Sequence, residues 1–448
     1  MSVKQEKGLT FLYFAVYLIA ALTIALHQPH TDTPPLFGNP PDEHSRYKVP
    51  LYIEEHGELP TGFEEELFSE DCRWTYGFYT LLPYMIQGAA MKIVSLFTDS
   101  ALTLLYTARM VNVISGLCMA YLVLLIGKKV FHDDRVRWIF CFLVTFLPQS
   151  LFMHTYVNPD SLCMLSTALM IYGLLRGYED AFSVKSCVIF TLGMILCTLS
   201  YYNAYGYLVS SFLLFTAYYI QRKDGRWSLD YKPFLKKGCL IAASVIVLTG
   251  WSFVRNYLLY DGDFIGLSTK EAFIRSFGIA RETYQSQGYS LLYMLTHTSF
   301  LPKVMISFIA NFGSGTIYTY PFLYVLYLLF FAMSVVGLFC GMGNSEKVPL
   351  KTKFFHINMI FCILMPFILL LKYAYSVDYQ AQGRYLMPAV IPIMYYVCMG
   401  FERLPVYRKG SERRKTVLTA GVLVFLMAAL LIMVFCNALP IYLMTPVL

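Results

Sequence analysis

Residues 38–60 read GNPPDEHSRYKVPLYIEEHGELP. The stretch follows closely on an apolar run, Leu9 to Leu26, and its paired prolines, Pro40 and Pro41, deny the backbone a helical lead-in. Asp42 is then placed to cap a helix starting around Glu43 and ending near His56-Gly57. Capping alone accounts for many aspartates. Whether this one does more depends on what the apolar run before it is.

The rest of the chain answers that. Of 448 residues, 57% are hydrophobic, 17% aromatic and only 14% charged, against roughly 25% charged in a soluble domain. Apolar runs recur from end to end, close to the ~20 residues that a bilayer-spanning helix needs. Expected spans lie near 9–26, 104–127, 137–154, 161–176, 185–201, 204–220, 239–258, 320–340, 354–372, 385–401 and 416–437. The expected fold class is therefore an all-α multi-pass membrane protein of about eleven transmembrane helices, a single integral-membrane domain over 1–448. Residues 76–97 are apolar but hold Pro83, Gln87 and Lys92. They read as a helix lying in or dipping into the interface, with a twelfth span as the alternative. The first run is followed by HQPH and not by a small-residue cleavage site, so a retained span is expected.

The net charge of +7 is a topology signal before it is a binding signal. Lys and Arg near span ends stay cytoplasmic. With the N-terminus inside, the stretches 127–137, 221–238, 343–353 and 401–415 become cytoplasmic and collect most of the 35 Lys and Arg residues. The C-terminus then lies outside, as do two large loops, 27–103 with interfacial helices and 259–319. Shorter outward turns hold YVNPDS (156–161), YYNAYG (201–206) and YAYSVDYQAQGR (373–384). The 11 cysteines sit mostly inside apolar segments, where Cys acts as a small hydrophobe, and only Cys72 lies in an evident loop. No disulfide framework or C-x-x-C pair results.

In this orientation Asp42 and Glu43 lie close to the membrane surface, where an uncompensated carboxylate is costly and usually functional. Asp160 stands at the mouth of another span, where it also suits a helix cap. Asp378 is a third outward acid. Outward cations are few: Arg255, Lys372 and Arg384, with Arg109 inside a span and in need of a partner or polar cavity. Each could snorkel to the interface. Arg384, between Gln382-Gly383 and Tyr385, is best placed to face inward and offers a planar fork suited to phosphate. His44 and His56 stand near the acids without forming a metal motif, and no H-E-x-x-H, G-x-S-x-G or Walker A pattern occurs. The Tyr-rich outward turns fit either an interfacial aromatic belt or stacking on sugar rings.

A first span, a long outward loop opening on an acid, and many further spans together resemble the GT-C class of membrane glycosyltransferases. That class includes the protein O-mannosyltransferases and the lipid A aminoarabinose transferases. Within it, the chain most resembles the uncharacterised bacterial polysaccharide-associated GT-C proteins. PDEHSRYKVPLYIEEHGELP (41–60), NPDS (158–161), WSFVRNYLLYDGD (251–263), SFIANFG (307–313) and QGRYLMP (382–388) carry the resemblance in order. It implies a polyprenyl-phosphate sugar donor, transfer on the outer face of the inner membrane to an envelope glycan or lipid, and the first-loop acid as general base. Here that acid is Asp42, with Glu43 beside it. The phosphate would be held by Arg384, Lys372 and Arg255, with Asp160 as supporting acid and Tyr47, Tyr385 and Gln382 as sugar or acceptor contacts. A single displacement with a phosphate leaving group implies inversion at the sugar carbon. Some members of the class bind a divalent metal between acids, so Mg or Mn between Asp42 and Asp160 is the cofactor to test. A flippase for lipid-linked saccharides and a non-catalytic subunit of an envelope-polymer complex are the alternatives.

Overall fold

A computed structural model describes residues 3–31, 38–69, 75–223, 226–278, 282–340, 349–445 and 447. Cys72 and part of the expected cytoplasmic connection 343–353 lie outside them. The chain begins with α1 (Val3–His27), a short helix α2 (Glu43–His56), α3 (Leu82–Ser95) and the long α4 (Ala101–Val130). Next come α5 (Asp134–Phe146), α6 (Pro148–Met153), α7 (Asp160–Asp180), α8 (Val184–Ser200) and α9 (Tyr205–Tyr219). A hairpin, β1 (Ile220–Lys223) and β2 (Arg226–Leu229), leads into α10 (Tyr231–Leu259). The short α11 (Leu267–Ser276), α12 (Leu291–His297) and α13 (Phe300–Ile309) follow. The chain closes with α14 (Pro321–Cys340), α15 (Leu350–Ser376), α16 (Val390–Arg403), α17 (Pro405–Arg408), α18 (Glu412–Leu431) and α19 (Leu439–Leu443).

Seven described helical segments are long and apolar enough to cross a membrane: Val3–His27, Ala101–Val130, Tyr231–Leu259, Pro321–Cys340, Leu350–Ser376, Gly383–Arg403 and Glu412–Leu443. The other four expected spans are helical too, but shorter, more polar or broken. The run expected at 137–154 is split into α5 and α6 where Pro148, lacking an N–H, starts a new helix. Helices α8 and α9 have 17 and 15 residues. Helix α3 has 14 residues, about 21 Å at 1.5 Å per residue, which is short of the ~30 Å hydrocarbon layer and disfavours a twelfth span. The all-α expectation needs one amendment, the antiparallel hairpin pairing Ile220 with Leu229 and Lys223 with Arg226.

Helices in lipid gain little from burying apolar surface against each other, so close approach of backbones decides their packing. Helices α14 and α16 cross on two glycines. A Cβ at Gly337 would lie 2.0 Å from the Gly400 carbonyl oxygen, and one at Gly400 would lie 1.9 Å from that of Ser334. The described interhelical ion pairs gather at the two ends of the bundle. At one end Glu6 of α1 pairs with Lys128 of α4 at 2.9 Å, and Arg135 of α5 with Glu412 of α18 at 2.9 Å. At the other end α2, the turn after α8, α11 and the end of α15 meet around a cavity.

Candidate active site

The cavity, about 1060 Å³, is lined by Asp42, Ser45 and Arg46 of the first loop and by Lys372 and Tyr373 of α15. Tyr76, Tyr79, Tyr201, Tyr202 and Tyr385 supply much of the wall, and Lys270 and Arg275 of α11 stand on the far side.

Asp42 occupies the N-cap position of α2, yet its side chain makes no capping hydrogen bond. Its backbone is left-handed, φ 60° and ψ 7°, a conformation that Asp tolerates better than most residues at a cost of about 1–2 kcal/mol. The turn frees the carboxylate to face the cavity. Oδ2 accepts from Arg384 Nη2 at 2.8 Å and lies 3.5 Å from Arg46 Nη2, and Tyr76 also bonds the carboxylate. Asp42 lines the cavity with its side chain 39% exposed and the remainder covered by protein. That burial acts to raise its pKa; Arg384 and Arg46 overcome it and hold the pKa below the ordinary value.

Arg384 is fixed by its neighbour. Gly383 donates its N–H to Ser307 Oγ at 2.7 Å and packs so tightly on α13 that a Cβ would lie 2.2 Å from Phe308 N. This contact links the SFIANFG and QGRYLMP segments and brings Arg384 beside Asp42, 342 positions earlier in the chain. The guanidinium lies 5.2 Å from the Tyr385 ring centre. Its Nε and Nη1 are buried and make no well-aligned hydrogen bond among the described residues, although the Tyr156 hydroxyl interacts with the guanidinium. A buried unpaired donor costs about 1–3 kcal/mol, which leaves this guanidinium with unused capacity for an acceptor.

Arg46 was absent from the sequence-level candidates. It lies 5.0 Å from the Tyr76 ring centre, and its Nη1 is 3.5 Å from Asp160 Oδ2. Asp160, Arg46, Asp42 and Arg384 thus form a row of alternating charges. The signal was present in the sequence: once a helix begins at Glu43, position 46 lies one turn from Asp42. Asp160 is not the cap of α7, whose N-cap is Pro159. It is buried, with Oδ1 lacking an acceptor role among the described residues. The preceding turn is held by Asn112, which donates to the Tyr156 carbonyl at 2.5 Å, and by Asn158, whose Oδ1 accepts from Ser161 N at 3.0 Å.

Glu43, expected to share the chemistry with Asp42, faces the other way. It is 1% exposed and does not line the cavity. Its Oε1 accepts from Arg109 Nε at 2.9 Å and Val157 N at 2.7 Å, and its Oε2 from Arg109 Nη2 at 2.5 Å, with His30 Nδ1 at 3.3 Å. Arg109 completes its set on the carbonyls of Ala25, Gln28 and Pro29. The partner that Arg109 needed is Glu43, and the pair fastens α2 to α1, α4 and the 157 turn. Burial opposes ionisation of Glu43, but Arg109 and His30 draw its pKa down to about 2.

Five further candidates lie outside the cavity lining: Arg384 and Asp160, buried and meeting it through Asp42 and Arg46, and Arg255, Tyr47 and Gln382. Arg255 Nη2 donates to the carbonyls of Leu59 and Pro60, at 3.2 and 2.7 Å, and so anchors the segment after α2. Tyr47 belongs to an apolar cluster with Val49 and Tyr84. Gln382 binds the Gln380 carbonyl through its backbone N–H at 3.0 Å. Lys372 and Tyr385 do line the cavity, and the Tyr385 hydroxyl donates to Gln380 Oε1. A divalent ion between Asp42 and Asp160 does not fit, because Arg46 already stands between the two carboxylates. Among the described residues Glu55, His56 and Glu66 come within ligand range of one another, but they are exposed and not part of the cavity.

This architecture is the GT-C fold. The chain is similar to the Archaeoglobus fulgidus oligosaccharyltransferase tethered to an acceptor peptide (TM-score 0.54, 16% identity, 97% of this chain and 55% of that one). It is similar also to ArnT from Cupriavidus metallidurans bound to undecaprenyl phosphate (TM-score 0.54, 13% identity, 98% of this chain and 75% of that one). The oligosaccharyltransferase AglB with an inhibitory peptide and a dolichol-phosphate gives TM-score 0.51 at 15% identity, over 98% of this chain and 56% of that one. The chain thus spans about half the length of the oligosaccharyltransferases, and at these identities the likeness is one of fold. Residues 67–394 match the family described as predicted membrane protein (DUF2142), and the chain belongs to that family. No curated protein sequence matches it.

Proposed function

We propose that the protein is an inverting glycosyltransferase moving a sugar from a polyprenyl-phosphate donor to an envelope glycan or lipid acceptor. The observation that carries the reading is a carboxylate, Asp42, that lines a large cavity and lies 2.8 Å from the Arg384 guanidinium, two of whose nitrogens make no well-aligned hydrogen bond among the described residues. The acceptor oxygen attacks the anomeric carbon, the bond from that carbon to the phosphate oxygen breaks, and the acceptor proton passes to Asp42. The leaving group is a phosphate and needs no acid. It needs positive charge, which Arg384 and Lys372 supply, with Arg46 beside them. The tyrosines of the wall offer flat faces to sugar rings. No step runs through a metal.

The single integral-membrane domain would place loops 27–103 and 259–319 outside the inner membrane, with the N-terminus inside and the C-terminus outside. In support, the Glu6–Lys128 and Arg135–Glu412 pairs, on segments that the charge rule makes cytoplasmic, lie at the end of the bundle away from the cavity.

The test is Asp42→Asn in membranes supplied with a radiolabelled polyprenyl-phosphate sugar. Transfer to endogenous acceptor should fall by at least ~100-fold, the usual size of a general-base contribution, with insertion and expression unchanged. Wild-type transfer by this variant would remove Asp42 as the base.

A further inference from the structure

The base and the phosphate site share one side chain. Arg384, 6% exposed and outside the cavity lining, gives Nη2 to the cavity-lining Asp42 at 2.8 Å, so a ligand in the cavity reaches it past that carboxylate. Its buried Nε and Nη1 make no well-aligned hydrogen bond among the described residues. A guanidinium has two two-pronged edges, Nε with Nη2 and Nη1 with Nη2, and a phosphate engages one of them with two oxygens. Both edges include the nitrogen that Asp42 holds. A phosphate bound in this fork therefore shares or takes that nitrogen and brings its own negative charge to within a few ångströms of the carboxylate.

We propose that the donor phosphate and Asp42 compete for Arg384, so that donor binding releases the carboxylate and arms it as a base. The inference rests on the reading of the cavity as a phosphate-sugar site. Without donor, Asp42 is pinned between two guanidinium groups and holds protons weakly. With donor, Arg384 is neutralised by phosphate, and the adjacent like charge increases the proton affinity of Asp42. The base becomes competent only when there is a sugar to transfer, which imposes donor-before-acceptor order.

Coupling of this kind is reciprocal. Removing the charge of Asp42 should strengthen phosphate binding although it abolishes transfer. This is opposite to what a carboxylate holding the donor through a cation would do.

The experiment measures equilibrium binding of a polyprenyl phosphate, and separately of inorganic phosphate, to the full chain in detergent. Asp42→Asn and Asp42→Gly are the variants, since both residues accept φ 60° at this position. Each should bind polyprenyl phosphate about tenfold more tightly than wild type, equivalent to one unit of proton affinity exchanged between the groups. The gain should vanish when Arg384→Gln is added. Tightening with both ligands means that phosphate alone displaces the carboxylate, and tightening with the lipid alone means that the anchored headgroup is required; either supports the competition. Unchanged or weaker binding in both variants overturns it, as does a gain that survives Arg384→Gln. Binding is read without turnover, so this result stands apart from the transfer assay. Wild-type transfer by Asp42→Asn would instead remove the base itself.

Discussion

Glu43→Gln separates a structural carboxylate from a chemical one at neighbouring positions. In the native protein both Glu43 oxygens are acceptors, from Arg109 Nε and Nη2 and from Val157 N. A glutamine of the same shape must turn an NH₂ toward one of these donors. The Arg109 charge, 0% exposed, then keeps the glutamine oxygen at most and the carbonyls of Ala25, Gln28 and Pro29, with no counter-charge. Breaking a buried pair from one side typically costs about 3–5 kcal/mol. The proton affinity gives a similar figure: a pKa of about 2 against an ordinary 4.5 corresponds to about 3 kcal/mol. The sign follows from the depressed pKa. The contribution is complete above pH 4.5 and is lost as the pH falls toward 2. Glu43→Gln should therefore be less stable than wild type at pH 7, and the difference should close on acidification. The assay is the half-life of monodisperse protein in detergent during heating, at pH 7, pH 4 and toward pH 2, with most of the closing expected below pH 4. Replacing both partners, Glu43→Met with Arg109→Met, should recover much of the loss, since two apolar side chains leave no buried charge. Wild-type thermal resistance combined with lost transfer would refute the clamp and return Glu43 to the chemistry.

Arg46→Ala leaves the buried Asp160 carboxylate without its cation and should cost about 3–5 kcal/mol; Asp160→Asn in the same chain should restore thermal resistance. Both changes should nonetheless lower the transfer rate, because Asp42 loses one of the two groups that orient it. Gly383→Ala puts a methyl 2.2 Å from Phe308 N and 2.4 Å from the Val304 carbonyl oxygen. The backbone must shift, at about 1–3 kcal/mol, and carry Arg384 with it, so phosphate affinity should fall together with melting temperature. Arg255→Ala removes two bonds to the carbonyls of Leu59 and Pro60 and should cost about 1–2 kcal/mol of stability. Binding of a polyprenyl phosphate should be unchanged; weaker binding would place Arg255 in the phosphate site after all.

Most of the helical framework was legible because a bilayer imposes it: an apolar run of sufficient length has few alternatives to a helix. Helix α2 was legible for a local reason. Gly57 takes the left-handed conformation, φ 73°, that ends a helix cleanly, and its N–H returns to the Ile53 carbonyl. The helix therefore runs from Glu43 to His56 in spite of Pro50 inside it. The break at Pro148 and the hairpin at 220–229 were less visible, since hydropathy averaged over a window does not register one missing N–H or a four-residue strand.

The site was legible in residue type and not in direction. Asp42 and Glu43 are adjacent acids in one loop, and composition offers no reason to prefer either. Their difference arises in three dimensions. A left-handed turn at residue 42 swings one carboxylate toward the cavity, and the first helical position points its neighbour roughly 100° away, into the bundle. Which acid meets water is then fixed by where the cations lie, and these come from distant segments: Arg109 from α4 and Arg384 from the turn after α15. Arg109 has no acceptor within its own stretch of sequence, and an arginine so placed must draw a carboxylate from elsewhere. Its capture of Glu43 leaves Asp42 as the first-loop acid that lines the cavity, so a residue expected only to need a partner decides which neighbour is left for the chemistry.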